Sequence, residues 1–208
     1  MSISLVFDQE HHEYRVGGRV LPSVTQLMDK YGITNSEWYG YQASIRGSYV
    51  HKATEFMDED DLDIEDQDEL LQPFLRAYEK FKAEANVTWE LSELQMYHDL
   101  DWFAGTLDRT GFLPNGKRIL VDIKSGGMPA WVHIQLAGYR KLLKRHESRI
   151  ESTYRPIEDF YALQLRKDGT YRFNKIPILK IHEGQKIIDS MLLLNHFNRT
   201  ITREPYAG

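Results

Sequence analysis

The chain has 208 residues, of which 41% are hydrophobic and 27% charged, with a formal net charge of −5. That composition suits a single globular domain with a substantial core, and no apolar run approaches the roughly 20 residues of a membrane span. Cysteine is absent, which excludes disulfides, thiolate zinc sites, iron–sulfur clusters and cysteine nucleophiles; a metal would have to be held by His, Asp, Glu and carbonyl oxygen, a hard set that suits Mg²⁺ or Mn²⁺.

The first ten residues lack the basic start and long apolar core of a signal peptide, so a cytoplasmic location is expected. Residues 3–7, 13–16 and 19–21 read as short strands, with Gly17–Gly18 as the turn between the last two. Ser23 can cap a helix running to Lys30 and ended by Gly32. A second helix is expected from Asn35 or Ser36 to about Met57. The acidic run Asp58–Glu69 follows and reads as a solvated, mobile loop. Without its acids, basic residues outnumber acidic ones in the rest of the chain. Apolar residues at helical spacing, Leu70 to Phe81, predict a third helix over 68–84.

The pattern then changes period. Glu90–His98, Phe103–Phe112 and Arg118–Lys124 read as strands, the last two joined by the hairpin turn Pro114–Lys117. A helix is expected from about Ala130 to Arg145, then a strand pair, Phe160–Arg166 and Tyr171–Ile176, and a last amphipathic helix over 183–198. The whole reads as one α+β domain: a mainly helical N-terminal part (1–85) on a central mixed sheet flanked by helices (86–208).

The chemistry concentrates around one hairpin. In Ile119–Lys124 an apolar strand ends in Asp122-Ile123-Lys124, and strand alternation puts Asp122 and Lys124 on one face and Ile123 on the other. A carboxylate and an ammonium at the end of a buried strand are costly unless paired or used. The preceding strand carries Gly105-Thr106-Leu107-Asp108, and antiparallel pairing can bring Asp108 close to Asp122. Two such carboxylates repel unless a cation lies between them. Gln135 and Tyr139, four apart on the next helix, share a face. His51, on the second helix after Arg46-Gly47-Ser48, can complete a metal site with its neutral imidazole. Arg46 and Lys52 near His51, and Arg140, Lys141, Lys144 and Arg145 on the later helix, are candidate phosphate contacts.

This set resembles the PD-(D/E)XK nuclease superfamily, in its RecB-like branch, which includes many phage exonucleases. That branch shows a His on an early helix, a Gly-x-x-Asp strand, an Asp-x-Lys strand and a Gln-x-x-x-Tyr helix. Here His51, Asp108, Asp122, Lys124, Gln135 and Tyr139 follow in that order. Leu21-Pro22-Ser23-Val24-Thr25 also looks like the opening of phage members. The resemblance runs from about Leu21 to Tyr139; the last third agrees only in coarse pattern.

The resemblance implies that His51, Asp108, Asp122 and the Ile123 carbonyl hold a Mg²⁺ ion, with Mn²⁺ as substitute. Lys124 would position the attacking water. Gln135 and Tyr139 would contact the DNA strand or support the site, and Glu93 would help hold a second metal, although Glu90 is a rival by chemistry alone. Arg46, Lys52 and Arg140 would touch nucleic acid. It implies a metal-dependent exodeoxyribonuclease of recombination, repair or replication, working with a single-strand-annealing or recombination partner and in some relatives as a ring; phage origin would place it in the host cytoplasm. An inactive nuclease-fold DNA-binding or assembly module, an endonuclease and an RNA- or nucleotide-directed hydrolase are the alternatives.

Overall fold

The computed structural model describes residues 4–34, 41–150 and 155–201. The chain opens with three short strands, β1 (Leu5–Asp8), β2 (Glu13–Val16) and β3 (Arg19–Leu21), which form an antiparallel sheet in that order. The expectation of a mainly helical first part is corrected here: helix begins only at α1 (Val24–Lys30). The reason is local. Gly17 and Gly18 both take positive φ, so the chain reverses and the alternating apolar positions Tyr14, Val16 and Leu21 are buried together. Ser23 then caps α1 through a capping box with Gln26. Ser23 also bridges to Ala104, which ties this sheet to the larger one.

Helix α2 (Tyr41–Asp58) follows; its expected start at Asn35 or Ser36 lies outside the described residues. Helix α3 (Gln72–Ala85) starts four residues later than the spacing predicts. Pro73 suits a first turn, and the Asp68 carboxylate takes the Leu70 N–H, so the preceding residues form a turn and Leu70 is exposed. The acidic run is more than a solvated loop: Ile64 is buried in the core, and Asp58 is engaged by buried partners.

The main sheet has the order β4-β5-β6-β7-β8, from Thr88–His98, Phe103–Phe112, Arg118–Ser125, Asp159–Leu165 and Tyr171–Ile176. All neighbours are antiparallel except β6 and β7. Helix α4 (Val132–Ile150) makes that parallel crossover and packs with α5 (Ile178–Ile201) on one face. Both helices exceed their expected lengths; α5 starts directly after Pro177, which is well suited to a first helical turn. Helices α2 and α3 cover the other face. Side-chain alternation on β6 explains the two cores: Leu120 joins the α4–α5 side, while Ile119, Val121 and Ile123 join the α2–α3 side. Among the described residues no helix is long and apolar enough to cross a membrane.

Candidate metal centre and its lysine

The β5–β6 ladder ends at Arg109↔Val121, and one further step would set Asp108 opposite Asp122. The backbone pairing stops there because a side chain takes over: Asp108 Oδ2 accepts the Ile123 N–H at 2.6 Å. On the other side of β5 the register passes from Ser92↔Arg109 to Leu94↔Leu107, with Glu93 and Asp108 between them. Glu93 has φ +45°, an uncommon conformation for a residue with a side chain. Glu93 and Asp108 thus face each other in an unbroken β4–β5 register, whose one shift lies between Trp89 and Leu91, at Glu90.

His51 reaches this point from α2. Its Nε2 donates to the Ile123 carbonyl at 3.0 Å, which leaves Nδ1 turned toward Glu93 Oε1 at 3.5 Å and Asp108 Oδ1 at 3.6 Å. One donor atom from each of His51, Glu93 and Asp108 lies within 4.8 Å of the others, so these three form a candidate metal site. An imidazole nitrogen with two carboxylate oxygens is a donor set that fits Mn²⁺ or Mg²⁺. The Ile123 carbonyl, expected among the ligands, serves here as the acceptor that orients His51. The rivalry between two glutamates is resolved by position: Glu90 accepts from Arg118 Nε at 2.7 Å and from Thr110 Oγ1 at 3.1 Å, away from this cluster.

Asp122 lies beside the cluster and is fully buried. Lys124 Nζ donates to its Oδ1 at 3.0 Å and stands 2.8 Å from Oδ2, which has no hydrogen bond of its own. The ammonium also donates to Gln135 Oε1 at 2.9 Å, and Gln135 Nε2 donates to the Tyr139 hydroxyl at 2.9 Å. Gln135 and Tyr139 are both buried, so in this arrangement they brace Lys124 and do not face outward toward a strand. Close packing sets this brace. A Cβ at Gly105 would come within 3.2 Å of the Tyr139 ring, so glycine there admits α4 to the sheet.

Electrostatics follow from burial and crowding. Burial raises the Asp122 carboxyl to about 6; Lys124 works against that rise and Asp108 adds to it. Burial also raises Asp108, opposed by His51 and reinforced by Glu93. Burial alone would lower His51, but Asp108 and Glu93 outweigh it and lift the imidazole to about 9. A cluster that holds a proton this tightly has excess negative potential, the condition a divalent cation relieves.

The site has a further layer that the motifs did not reveal. Arg109 is fully buried, and its guanidinium joins Glu93, Asp58 and Thr54. The available signal was an arginine directly after Asp108 in a strand otherwise free of long charged side chains; such a residue needs carboxylates around it.

The expected phosphate contacts separate. Arg46 lies by the site, with Nη2 donating to the Ser125 carbonyl at 3.3 Å and its guanidinium over Phe74. Lys52 is exposed and paired with Glu55. Arg140, Lys141, Lys144 and Arg145 instead line a cleft of about 620 Å³ together with His98, His182 and Asp189. Two of them are already engaged: Lys141 by Asp101 and Asp189, and Arg145 by Asp99.

No family model matches the chain, and no curated protein matches it in sequence. Among solved structures, the chain is similar to a crystal structure named "Putative exonuclease" from Eubacterium rectale. The TM-score is 0.56 at 14% identity, over 82% of this chain and 77% of that one. At that identity the likeness establishes a shared fold.

Proposed function

We propose that this protein is a metal-dependent DNA nuclease of the PD-(D/E)XK type, most consistent with an exonuclease acting on DNA ends. One observation carries the reading: an imidazole–carboxylate cluster of His51, Glu93 and Asp108 beside a buried Asp122 whose lysine partner is braced by Gln135. A binding module has no need to bury carboxylates where phosphate must approach. The shared fold with the Eubacterium rectale protein supports the same class.

The substrate bond is an anionic phosphodiester, which repels a nucleophile. A bound Mg²⁺ or Mn²⁺ supplies charge neutralisation and a more acidic water. His51, Glu93, Asp108 and Asp122 are the residues that would hold it, with His51 aligned by the Ile123 carbonyl. Lys124 orients the attacking water and offsets charge growing on the phosphoryl oxygens. Gln135 holds the ammonium in place, and Tyr139 holds Gln135. Arg46 contacts the strand at the site's edge, with Lys52 and Arg140 further out. DNA is the partner this chemistry fits; an annealing or recombination protein and a homo-oligomer remain part of the proposal.

The test uses linear duplex and covalently closed circular DNA with Mg²⁺, Mn²⁺ or EDTA, beside Asp122→Ala. Metal-dependent loss of linear DNA with circles spared is expected, and none with the variant. Cleavage of circles as well would make it an endonuclease. A folded protein that cleaves neither these nor single-stranded substrates would overturn the nuclease reading.

A further inference from the structure

Among the described residues, Arg109 and Arg118 are the largest fully buried side chains, and packing does not explain the role of Arg109. Its three nitrogens each have an acceptor. Nε donates to Asp58 Oδ2 at 2.9 Å, Nη1 to Glu93 Oε1 at 3.0 Å and Nη2 to Thr54 Oγ1 at 3.3 Å. Nη1 also donates to the Asp108 carbonyl at 2.8 Å, at the residue that faces Glu93 in the β4–β5 register. The partners have supports of their own. Asp58 accepts the Tyr78 hydroxyl at 2.8 Å, and Thr54 donates to the His51 carbonyl, also at 2.8 Å. One guanidinium thus touches the backbone of one candidate ligand, the carboxylate of a second, and a hydroxyl bonded to the backbone of the third.

Glu93 needs such a support. Its backbone is held at φ +45°, a strained conformation that persists only when its surroundings impose it. A glutamate side chain is also long, and free rotation would sweep its carboxylate away from His51. The Arg109 fork fixes Oε1, the same oxygen that lies 3.5 Å from His51 Nδ1. The charge balance fits the task. A buried guanidinium next to a cation site would repel the cation, but Asp58 lies against the same guanidinium and compensates it.

We infer that Arg109, compensated by Asp58 and steadied by Thr54, is a positioning residue that holds Glu93 in the metal-binding conformation and so sets the protein's affinity for a divalent cation. The inference rests on the nuclease reading only in assuming that Glu93 is a ligand. Arg109 acts through Glu93 and touches no reacting atom. Arginine is required because lysine keeps the charge but cannot span three acceptors with a planar fork.

The experiment measures Mn²⁺ binding by electron paramagnetic resonance and calorimetry on the whole chain, with thermal unfolding alongside, for the wild type, Arg109→Lys, Glu93→Gln and the double variant. Arg109→Lys is expected to weaken Mn²⁺ about 10-fold, in the range usual for residues that orient ligands. In the Glu93→Gln background the same change should alter Mn²⁺ binding less than about 2-fold, since coupled residues are not additive. Arg109→Lys that melts earlier but binds Mn²⁺ normally would mean a structural role only and overturn the inference. Full additivity of the two changes, or a Glu93→Gln variant with unaltered Mn²⁺ binding, would overturn it as well. Should Arg109→Lys fail to fold, Thr54→Val and Asp58→Asn carry the same test, both expected to weaken Mn²⁺ binding through Arg109; unchanged binding in both would count against it. Wild-type protein that binds Mn²⁺ with this pattern but cleaves no DNA would remove the nuclease reading and leave the role of Arg109 standing.

Discussion

At the scale of single residues, burial decides what each charged group can do. Asp122 is fully buried, shifted upward and left with one oxygen lacking a hydrogen bond, so its ionised form is held at a cost to the fold. Asp122→Asn is expected to reduce DNA cleavage by at least ~10²-fold, since losing a carboxylate that would hold the metal costs no less than the ~10–100-fold usual for residues that only orient such ligands. It should leave the melting temperature equal or higher, because the buried charge is gone. A variant that loses activity and melts early would mean that Asp122 serves the structure instead. Lys124→Met tests the same chain of contacts from the other end. It should abolish cleavage, yet Mn²⁺ binding should persist, because none of the atoms grouped as donors belongs to Lys124. Loss of Mn²⁺ binding would show that Lys124 is needed to build the cation site.

At the scale of elements, a few contacts fix how helices meet the sheet. Ser23 is one: it caps α1 and bridges to Ala104 at the edge of β5. Ser23→Ala should lower unfolding free energy by about 1 kcal/mol in urea titration, as for other lost caps; an unchanged midpoint would assign no net value to the box. Arg145 is another, joining α4 to the β4–β5 turn through Nε and Nη2, which donate to the two Asp99 oxygens. Those hydrogen bonds hold the Asp99 carboxyl down at about 2. A depressed folded value stabilises above the unfolded value near 3.8 and is lost as pH falls through about 2. Asp99→Asn should therefore be less stable than wild type at pH 5, with the gap closing as pH approaches 2. A gap that stays constant would mean the contact is not electrostatic. The pair is partly exposed, so the gap will be small and salt-sensitive.

For the whole molecule, the candidate centre is assembled from parts distant in sequence: α2, β4, β5 and β6 converge on it. A cation there would bind the folded state and not the unfolded chain. At a hundredfold excess over its dissociation constant, Mn²⁺ should add about 2.7 kcal/mol of stability. That corresponds to a rise of ~5–11 °C in melting temperature for a chain of this size. EDTA should reverse the rise, and Asp108→Asn should not show it. An equal shift in that variant would place the cation elsewhere.

Much of this was readable in the amino-acid order, because it depends on neighbours in the chain. Alternation along 119–124 puts Asp122 and Lys124 on one face, spacing of four puts Gln135 and Tyr139 on one helix face, and Gly-Gly and Pro-Asn-Gly mark reversals of the backbone. Those rules are local, and the observed strands follow them to within a residue or two. What the order of residues left open depends on long-range register and packing. Glu93 and Glu90 have the same chemistry three residues apart; only the irregular β4–β5 ladder sends one to His51 and the other to Arg118. The inward roles of Gln135 and Tyr139 depend on how closely Gly105 lets α4 approach. The boundaries of α3 and α5 moved because prolines set a first turn that periodicity cannot see. Arg109 and Asp58, fifty-one positions apart, meet only when α2 folds over β5. Periodicity reports which face a residue takes; which partner waits on that face is decided when the layers close.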